Sequence, residues 1–278
     1  MKKTLFILTL ILTTTLSYSQ KKEKVKGSKI VTTEKKQIES FDAIEVADNL
    51  EIFLIKGDDN ELEIEADDNL HQAIDIALTG STLRLSTLKD ISSFKTLKVR
   101  VIYTDVLKSL VLNDDAQVTA ITDLQLENFS IKCLGHAKAY INAKTTNFEM
   151  QCDDKAKVDL NLKSTKTTIS LSKNCEVKAL ITSTDLVFDL YQKSNAEIEG
   201  EVENLKLRLD NDSKFTGKNL SAKIADVTTE LYTSASIQVI DNLTLTATGK
   251  SEVELYGEQK ISINRFEDSA VLKKKPLK

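Results

Sequence analysis

The 278-residue sequence contains no tryptophan, one proline, two histidines and three cysteines. Its only proline, Pro276, stands near the C-terminus, so no proline-rich linker divides the chain. The absence of tryptophan weighs against a saccharide-processing enzyme, since large aromatic side chains are the usual platforms for sugar rings. The motifs GxSxG, P-loop and HExxH are also absent, so no catalytic motif is recognisable.

The cysteines and histidines give no support to a metal site. An odd number of cysteines cannot form a complete disulfide framework, and no CxxC pair is present. His71 and His136 have no cysteine or carboxylate at metal-ligand spacing, and His136 lies in an expected turn. We therefore predict no metal, no cofactor and no catalytic residue.

The N-terminus has the pattern of a secretory signal. Lys2 and Lys3 precede an apolar run over residues 5–12 and a stretch rich in Thr and Ser, which predicts a signal peptide over residues 1–19. The alternative is a buried N-terminal helix. Cleavage after Ser19 would change the formal charge from −4 to −6, and an acidic chain gives no electrostatic basis for binding nucleic acid. No later segment is apolar enough to predict a membrane span.

A repeat of about nineteen residues dominates the chain from residue 107 onward. Each unit contains a small residue, then any residue, then usually an apolar one. The small residues are Ala116, Ala137, Ala156, Cys175, Ala196, Ser213, Ala235, Ser251 and Ser269. A second set of alternating strands precedes them, as in residues 129–133 (FSIKC) and 148–152 (FEMQC). Alternation predicts strands with one buried face.

The length of the repeat restricts the fold. A βαβ unit needs about 30 residues, so each repeat has room only for short strands and turns. Stacked parallel coils require equivalent residues in successive units, which favours a parallel β-helix over an antiparallel β-sandwich or barrel. Cys133 and Cys152 would then lie one coil apart, where a disulfide and two stacked reduced thiols are both compatible with the strand spacing.

Residues 40–106 follow the repeat less clearly and predict longer strands that cap the N-terminal end of the coils. The stretches 40–46 (SFDAIEV), 50–58 (LEIFLIKGD) and 62–70 (LEIEADDNL) resemble the opening of the bacterial GIN-head domain, described as an autotransporter adhesin head. The resemblance covers residues 40–258. It implies a right-handed β-helix-like fold and an envelope or surface location, and it carries no established catalytic residues.

These observations predict five segments. They are a signal peptide at 1–19, a leader at 20–39, a cap at 40–106, coils at 107–258, and a C-terminal strand with a basic tail at 259–278. The cap and coils together form the GIN-head-like domain, 40–258.

Four pairs of neighbouring carboxylates are the most conspicuous candidates for chemistry, and each stands at an expected turn. They are Asp58-Asp59, Asp67-Asp68, Asp114-Asp115 and Asp153-Asp154. Neighbouring residues of a strand face opposite sides, so such a pair does not by itself form a site. Turn residues are therefore the favoured interpretation. Tyr140, Tyr191 and Tyr232 are candidates for an exposed stripe, with separate packing of each ring as the alternative.

The favoured function is a non-enzymatic envelope or surface protein, similar to an adhesin, with a glycan or protein ligand that the sequence does not identify. The alternatives are a polysaccharide lyase or hydrolase on the same fold and a periplasmic carrier of lipids or small molecules. The sequence predicts an exported protein in the periplasm, on the outer-membrane surface or outside the cell. It leaves both the binding residues and the oligomeric state open.

Overall fold

Residues 22–277 are described by a computed structural model, in which they form a β-solenoid of about 9 turns spaced about 19 residues apart. The predicted signal peptide at 1–19 lies outside the described residues. Nine strands belong to the N-terminal part: β1 (Lys24–Lys26), β2 (Val31–Gln37), β3 (Ala43–Val46), β4 (Glu51–Lys56), β5 (Glu61–Asp67), β6 (Ile74–Thr79), β7 (Thr82–Thr87), β8 (Asp90–Ser92) and β9 (Leu97–Tyr103). A 3₁₀ helix spans Asp68–Ala73.

Twelve further strands build the coils: β10 (Ser109–Leu112), β11 (Gln117–Ala120), β12 (Leu124–Cys133), β13 (Lys138–Cys152), β14 (Lys157–Leu171), β15 (Glu176–Leu190), β16 (Asn195–Leu209), β17 (Lys214–Thr229), β18 (Ser234–Ala247), β19 (Glu252–Tyr256), β20 (Lys260–Phe266) and β21 (Val271–Lys275). Successive coils pair in parallel throughout. The predicted β-solenoid is thus confirmed, and the antiparallel alternative is wrong for the coils.

The long strands bend where the burial pattern changes phase, as β13 shows. In β13, buried and exposed residues alternate from Lys138 to Thr145, then Thr146 and Asn147 are both exposed, and alternation resumes from Phe148. Two consecutive exposed residues shift the phase, so both halves of the strand direct one set of side chains inward. Each coil thereby buries two apolar faces and presents two polar ones.

The turns between coils need a left-handed residue, which explains their composition. Asp114, Gly135, Asp154 and Lys173 stand at equivalent turn positions with φ of 58°, 71°, 65° and 59°. Glycine adopts this region freely, and Asp and Asn tolerate it better than most residues. The turns stack through backbone hydrogen bonds, as from the His136 N–H to the carbonyl of Asp114 at 2.7 Å.

The small-residue column is more regular than the sequence pattern predicted. Backbone stacking places Ser194, Thr233 and Ala270 in it, where the pattern predicted Ala196, Ala235 and Ser269. Ala196 instead pairs with Val177 and Phe215 in the neighbouring strands. The observed column is Ala116, Ala137, Ala156, Cys175, Ser194, Ser213, Thr233, Ser251 and Ala270. The second set of strands is as predicted, with Phe129–Cys133 in register with Phe148–Cys152.

The cysteines contribute to the core as thiols. Cys133 and Cys152 stack in register on β12 and β13, and all three cysteines are free and buried. Of the two alternatives, the structure therefore has the stacked reduced thiols. Burial raises the pKa of Cys175 to about 12, which keeps this thiol protonated at neutral pH.

The N-terminal part, which was predicted as a cap, contains antiparallel strand pairs, while its strands β3 and β4 pair in parallel with β10 and β11 of the coils. Strand β5 lies antiparallel between β2 and β9, and β6 pairs antiparallel with β7. The 20–39 segment, expected to be a leader, thus contributes β1 and β2. The buried carboxylate of Asp67 accepts backbone N–H bonds from Lys29, Lys95 and Thr96 at 2.9, 3.0 and 3.1 Å.

The C-terminal end contains one more strand than predicted. Residues 259–278 were expected to form one strand and a basic tail, but β20 pairs with β18 and β21 pairs with β19. β20 completes the coil that β19 begins, and β21 starts the next turn on β19, so the solenoid continues past residue 258. The inward-facing side chains of β20 remain exposed, since no strand within residues 22–277 covers them.

Candidate binding groove

An open groove of about 510 Å³ lies on the outer face of the first strand halves, from the end of β11 across β13, β14, β15 and β16. Its polar and apolar lining comes from outward-facing positions that recur in four coils. These are Tyr140 and Asn142 on β13, Asp159 and Asn161 on β14, Lys178 and Leu180 on β15, and Glu197 and Glu199 on β16. We call this surface the groove.

Strand pairing sets the order of side chains in the groove. One column runs Tyr140, Asp159, Lys178 and Glu197, and a parallel column runs Asn142, Asn161, Leu180 and Glu199. Neighbours in a column are one strand spacing apart, about 4.8 Å. The groove therefore presents a fixed grid, whose positions are set by the backbone hydrogen bonds between coils.

Two apolar side chains are exposed within this polar grid. Tyr140 is 41% exposed and Leu180 is 49% exposed, although both occupy positions that are polar in neighbouring coils. Asn142 and Asn161 lie beside them, and each amide offers both donors and an acceptor. The combination of an exposed aromatic ring with paired amides is suited to a ligand that is apolar on one face and hydroxylated at its edges.

The charges of the groove are mixed and favour binding over acid–base chemistry. The Lys178 ammonium lies 3.9 Å from the Glu197 carboxylate. Glu199 accepts a hydrogen bond from the Asn219 amide at 2.8 Å. With Asp159, the groove holds three carboxylates and one ammonium, so its net charge of about −2 disfavours an anionic ligand.

The paired carboxylates of the sequence lie elsewhere. Asp114-Asp115 and Asp153-Asp154 stand in the stacked turns. The ammonium of Lys173 binds Asp153 and Asp154 at 3.0 and 2.6 Å. Its hydrogen bond lowers the pKa of Asp154, which makes this carboxyl a poor proton donor at neutral pH.

A row of glutamates on the cap is neutralised by basic neighbours. Glu63 and Glu65 on β5 bind the Arg100 guanidinium at 2.6 and 3.1 Å. Lys35 lies 3.3 and 3.2 Å from Glu61 and Glu63. The hydrogen bond from Lys35 lowers the pKa of Glu63, so these charges form a ladder of ion pairs across the sheet.

The histidines serve separate local contacts. His71 is buried, and its Nε2 lies 2.8 Å from Thr32 Oγ1. His136 is exposed in its turn, 3.8 Å from Asp115. Within residues 22–277, no three His, Cys, Asp or Glu side chains are arranged to hold a metal ion.

The three candidate tyrosines do not form a stripe. Tyr140 lies on the first half of β13, whereas Tyr191 and Tyr232 stand in turns at different positions. Arg208 lies 5.8 Å from the Tyr191 ring centre, and Lys250 lies 5.2 Å from that of Tyr232. Only Tyr140 lines the groove.

Sequence reasoning did not find the other groove residues. A usable signal existed for Leu180, which is apolar at a position where the preceding coils carry Asn142 and Asn161. Comparing outward positions between repeats would have identified this exception. The shape of the groove arises from several coils, so the sequence of a single strand does not indicate it.

The fold and the groove define a β-solenoid with a surface suited to ligand binding. The sequence model described as "Putative auto-transporter adhesin, head GIN domain" matches residues 40–161 and 152–258. The chain belongs to this GIN-head family, as the resemblance of its opening strands predicted. No curated protein sequence matches the chain.

Solved structures share the fold at low sequence identity. A putative adhesin from Parabacteroides merdae ATCC 43184 has a TM-score of 0.68 and 18% identity, covering 91% of this chain and 99% of that one. One from Parabacteroides distasonis ATCC 8503 has a TM-score of 0.67 and 14% identity, covering 90% and 100%. A putative lipid binding protein from the latter organism has a TM-score of 0.57 and 14% identity, covering 91% and 99%.

No helix in residues 22–277 has the length and apolar character needed to cross a membrane.

Proposed function

We propose that this chain is an exported, non-enzymatic, adhesin-like module that binds an uncharged saccharide chain through the groove. Family membership supports adhesion, and the predicted signal peptide supports export to the envelope or cell surface. The observation that carries the proposal is the exposure of Tyr140 and Leu180 beside the Asn142–Asn161 amides. Exposed aromatic rings among hydrogen-bonding groups are typical of recognition surfaces.

The chemistry of the groove favours a neutral sugar as the ligand. A sugar ring presents C–H groups on one face, which pack on the Tyr140 ring, and hydroxyls at its edge, which match the donors and acceptors of Asn142 and Asn161. The excess of carboxylates opposes sulfated or uronic saccharides. The repeated positions along the solenoid suit an extended chain of sugars.

The partners of the groove carboxylates favour binding over catalysis. In the groove, the Glu197 carboxylate lies 3.9 Å from the Lys178 ammonium and the Glu199 carboxylate accepts a hydrogen bond from Asn219 at 2.8 Å, so both carboxylates of β16 already have polar partners. A hydrolase of the usual type needs an acid and a base at roughly 5 to 9.5 Å on either side of the scissile bond. We therefore expect bound saccharide to remain intact.

An array of neutral, sulfated and uronic glycans and of matrix proteins tests the proposal. We expect the purified mature chain to be retained on neutral glycans, and Tyr140→Ala and Leu180→Asn each to weaken retention by about tenfold. Tyr232→Ala is the matched control, since this tyrosine is 61% exposed but lies outside the groove. Cleavage without retention, or retention on matrix proteins alone, would contradict the proposal.

A further inference from the structure

Strand β20, at the C-terminal end of the solenoid, leaves its apolar layer uncovered. Three side chains of β20 stack on residues of β18 that are at most 1% exposed: Ile261 on Leu243, Ile263 on Leu245, and Phe266 on Ala247. The three β20 side chains are nevertheless 43%, 53% and 42% exposed. They occupy core positions for which no covering layer exists within residues 22–277.

The backbone of β20 is open along the same edge. It pairs with β18 on one side and with no strand of residues 22–277 on the other. The opposite end of the solenoid is closed by the antiparallel cap. An exposed edge with apolar side chains is a template for another strand, because pairing satisfies its N–H and C=O groups and removes apolar surface from water.

The charges along β20 indicate which strand would fit this open edge. The strand begins with Lys260, which forms no ion pair with residues 22–277. It is followed by Glu267, whose carboxylate lies 2.6 Å from the Arg265 guanidinium, and by Asp268, which has no ion pair within residues 22–277. A second β20 in antiparallel orientation, related by a two-fold axis near Ile263, brings each Lys260 close to Asp268 of its partner. The same contact then forms twice, as an isologous interface requires.

The neighbouring basic strand does not oppose this arrangement. Its three lysines are neutralised within their own chain: Lys273 by Glu252 at 2.6 Å, Lys274 by Glu258 at 3.7 Å, and Lys275 by Glu254 at 2.9 Å. Repulsion between two copies of β21 is therefore weakened. The apolar contacts and the strand pairing of β20 are then the main contributions to the free energy of association.

We infer that the C-terminal end of the solenoid is a self-association surface, on which β20 of one copy pairs antiparallel with β20 of a second copy. The interface extends one sheet across two solenoids and covers Ile261, Ile263 and Phe266. Since only one short edge is buried, the interface is at the small end for specific complexes, and we expect a dissociation constant of roughly 10 to 100 µM.

Sedimentation velocity of the mature chain from about 5 to about 500 µM measures the association, and this range brackets a weak interface. We expect a monomer–dimer equilibrium in the wild type and a loss of affinity of at least about tenfold in Ile263→Lys, which places two like charges at the two-fold axis. Ile240→Lys is the matched control, since Ile240 is 54% exposed on β18 and lies outside the open edge of β20. Thermal unfolding verifies that both variants fold.

Three further variants test the inference independently. Lys260→Glu should weaken association, and adding Asp268→Lys should restore it. Ile263→Cys should form a covalent dimer on mild oxidation, because cross-strand Cα atoms lie within disulfide reach and the native cysteines are buried. A monomer over the whole concentration range, or a dimer that Ile263→Lys leaves intact, would overturn the inference. None of these variants touches the groove, so glycan retention is tested separately.

Discussion

Two serines at equivalent positions in consecutive coils should respond oppositely to replacement by alanine. Ser194 and Ser213 both lie in the small-residue column and are each 1% exposed. The Ser213 hydroxyl donates a hydrogen bond to the Leu190 carbonyl at 3.2 Å. The Ser194 hydroxyl is buried without a hydrogen-bond partner among residues 22–277.

The magnitudes follow from the cost of burying a hydroxyl. Ser213→Ala removes a made hydrogen bond and should lower the free energy of unfolding by about 1 kcal/mol. Ser194→Ala removes an unpaired polar group and should raise that free energy by about 1 kcal/mol. The two variants should then differ by about 2 kcal/mol, or roughly 4 to 8 °C in melting temperature.

Urea unfolding with a common m-value, together with calorimetry, measures the difference. Ser234→Ala, at an exposed position one residue past the column, should change stability by no more than about 0.5 kcal/mol. If Ser194→Ala destabilises the protein as much as Ser213→Ala does, the Ser194 hydroxyl makes a stabilising hydrogen bond and the reasoning is wrong.

Three other results are expected. Burial opposes ionisation of Asp67, but its three backbone N–H donors outweigh burial and lower its pKa, so the carboxylate stabilises the fold above the unfolded pKa of about 3.9. That contribution is lost as the pH falls towards the folded pKa, so Asp67→Asn should reduce the loss of stability between pH 5 and 3 in urea titrations. Cys175, whose pKa burial raises to about 12, should resist a thiol reagent at pH 8 until the protein unfolds; rapid native labelling would contradict this. Gly200→Ala should lower the free energy of unfolding by more than about 2 kcal/mol, because φ is 117° and a Cβ would overlap the Ile181 carbonyl. Gly80→Ala, at φ 61° with open space around it, should lower that free energy by about 1 kcal/mol.

The sequence predicted the solenoid because its signal is repeated many times. Alternating strands such as 129–133 and 148–152 pair in the predicted register. The predicted column was wrong at Ala196 and Ala235, each two residues beyond its true member, and at Ser269, one residue before Ala270. A shift of two residues keeps every side chain on the same face of a strand, so alternation alone does not detect it. Only stacking against neighbouring coils distinguishes Ser194 from Ala196.

The groove was beyond prediction for a different reason. Its eight principal residues come from four strands, and each is an ordinary outward-facing residue of its own strand. What makes them a site is the parallel register, which brings Tyr140 and Leu180 within two coils of each other. The open C-terminal end was missed because residues 259–278 were expected to contain one strand, whereas they contain β20 and β21, which belong to successive turns.

The two proposed surfaces, the groove and the open edge of β20, would act together in binding. In the coils, inward positions are occupied by the core and turn positions by left-handed residues, which leaves outward faces and ends for recognition. The groove near Tyr140 offers one weak, repeated set of contacts. Pairing through β20 would place two such grooves on one rigid body, and two linked sites hold a polymeric ligand far more strongly than either alone. A weak dimer would thus favour dense surfaces, where local concentration is high, over isolated saccharides in solution. That preference is the property that an adhesin requires.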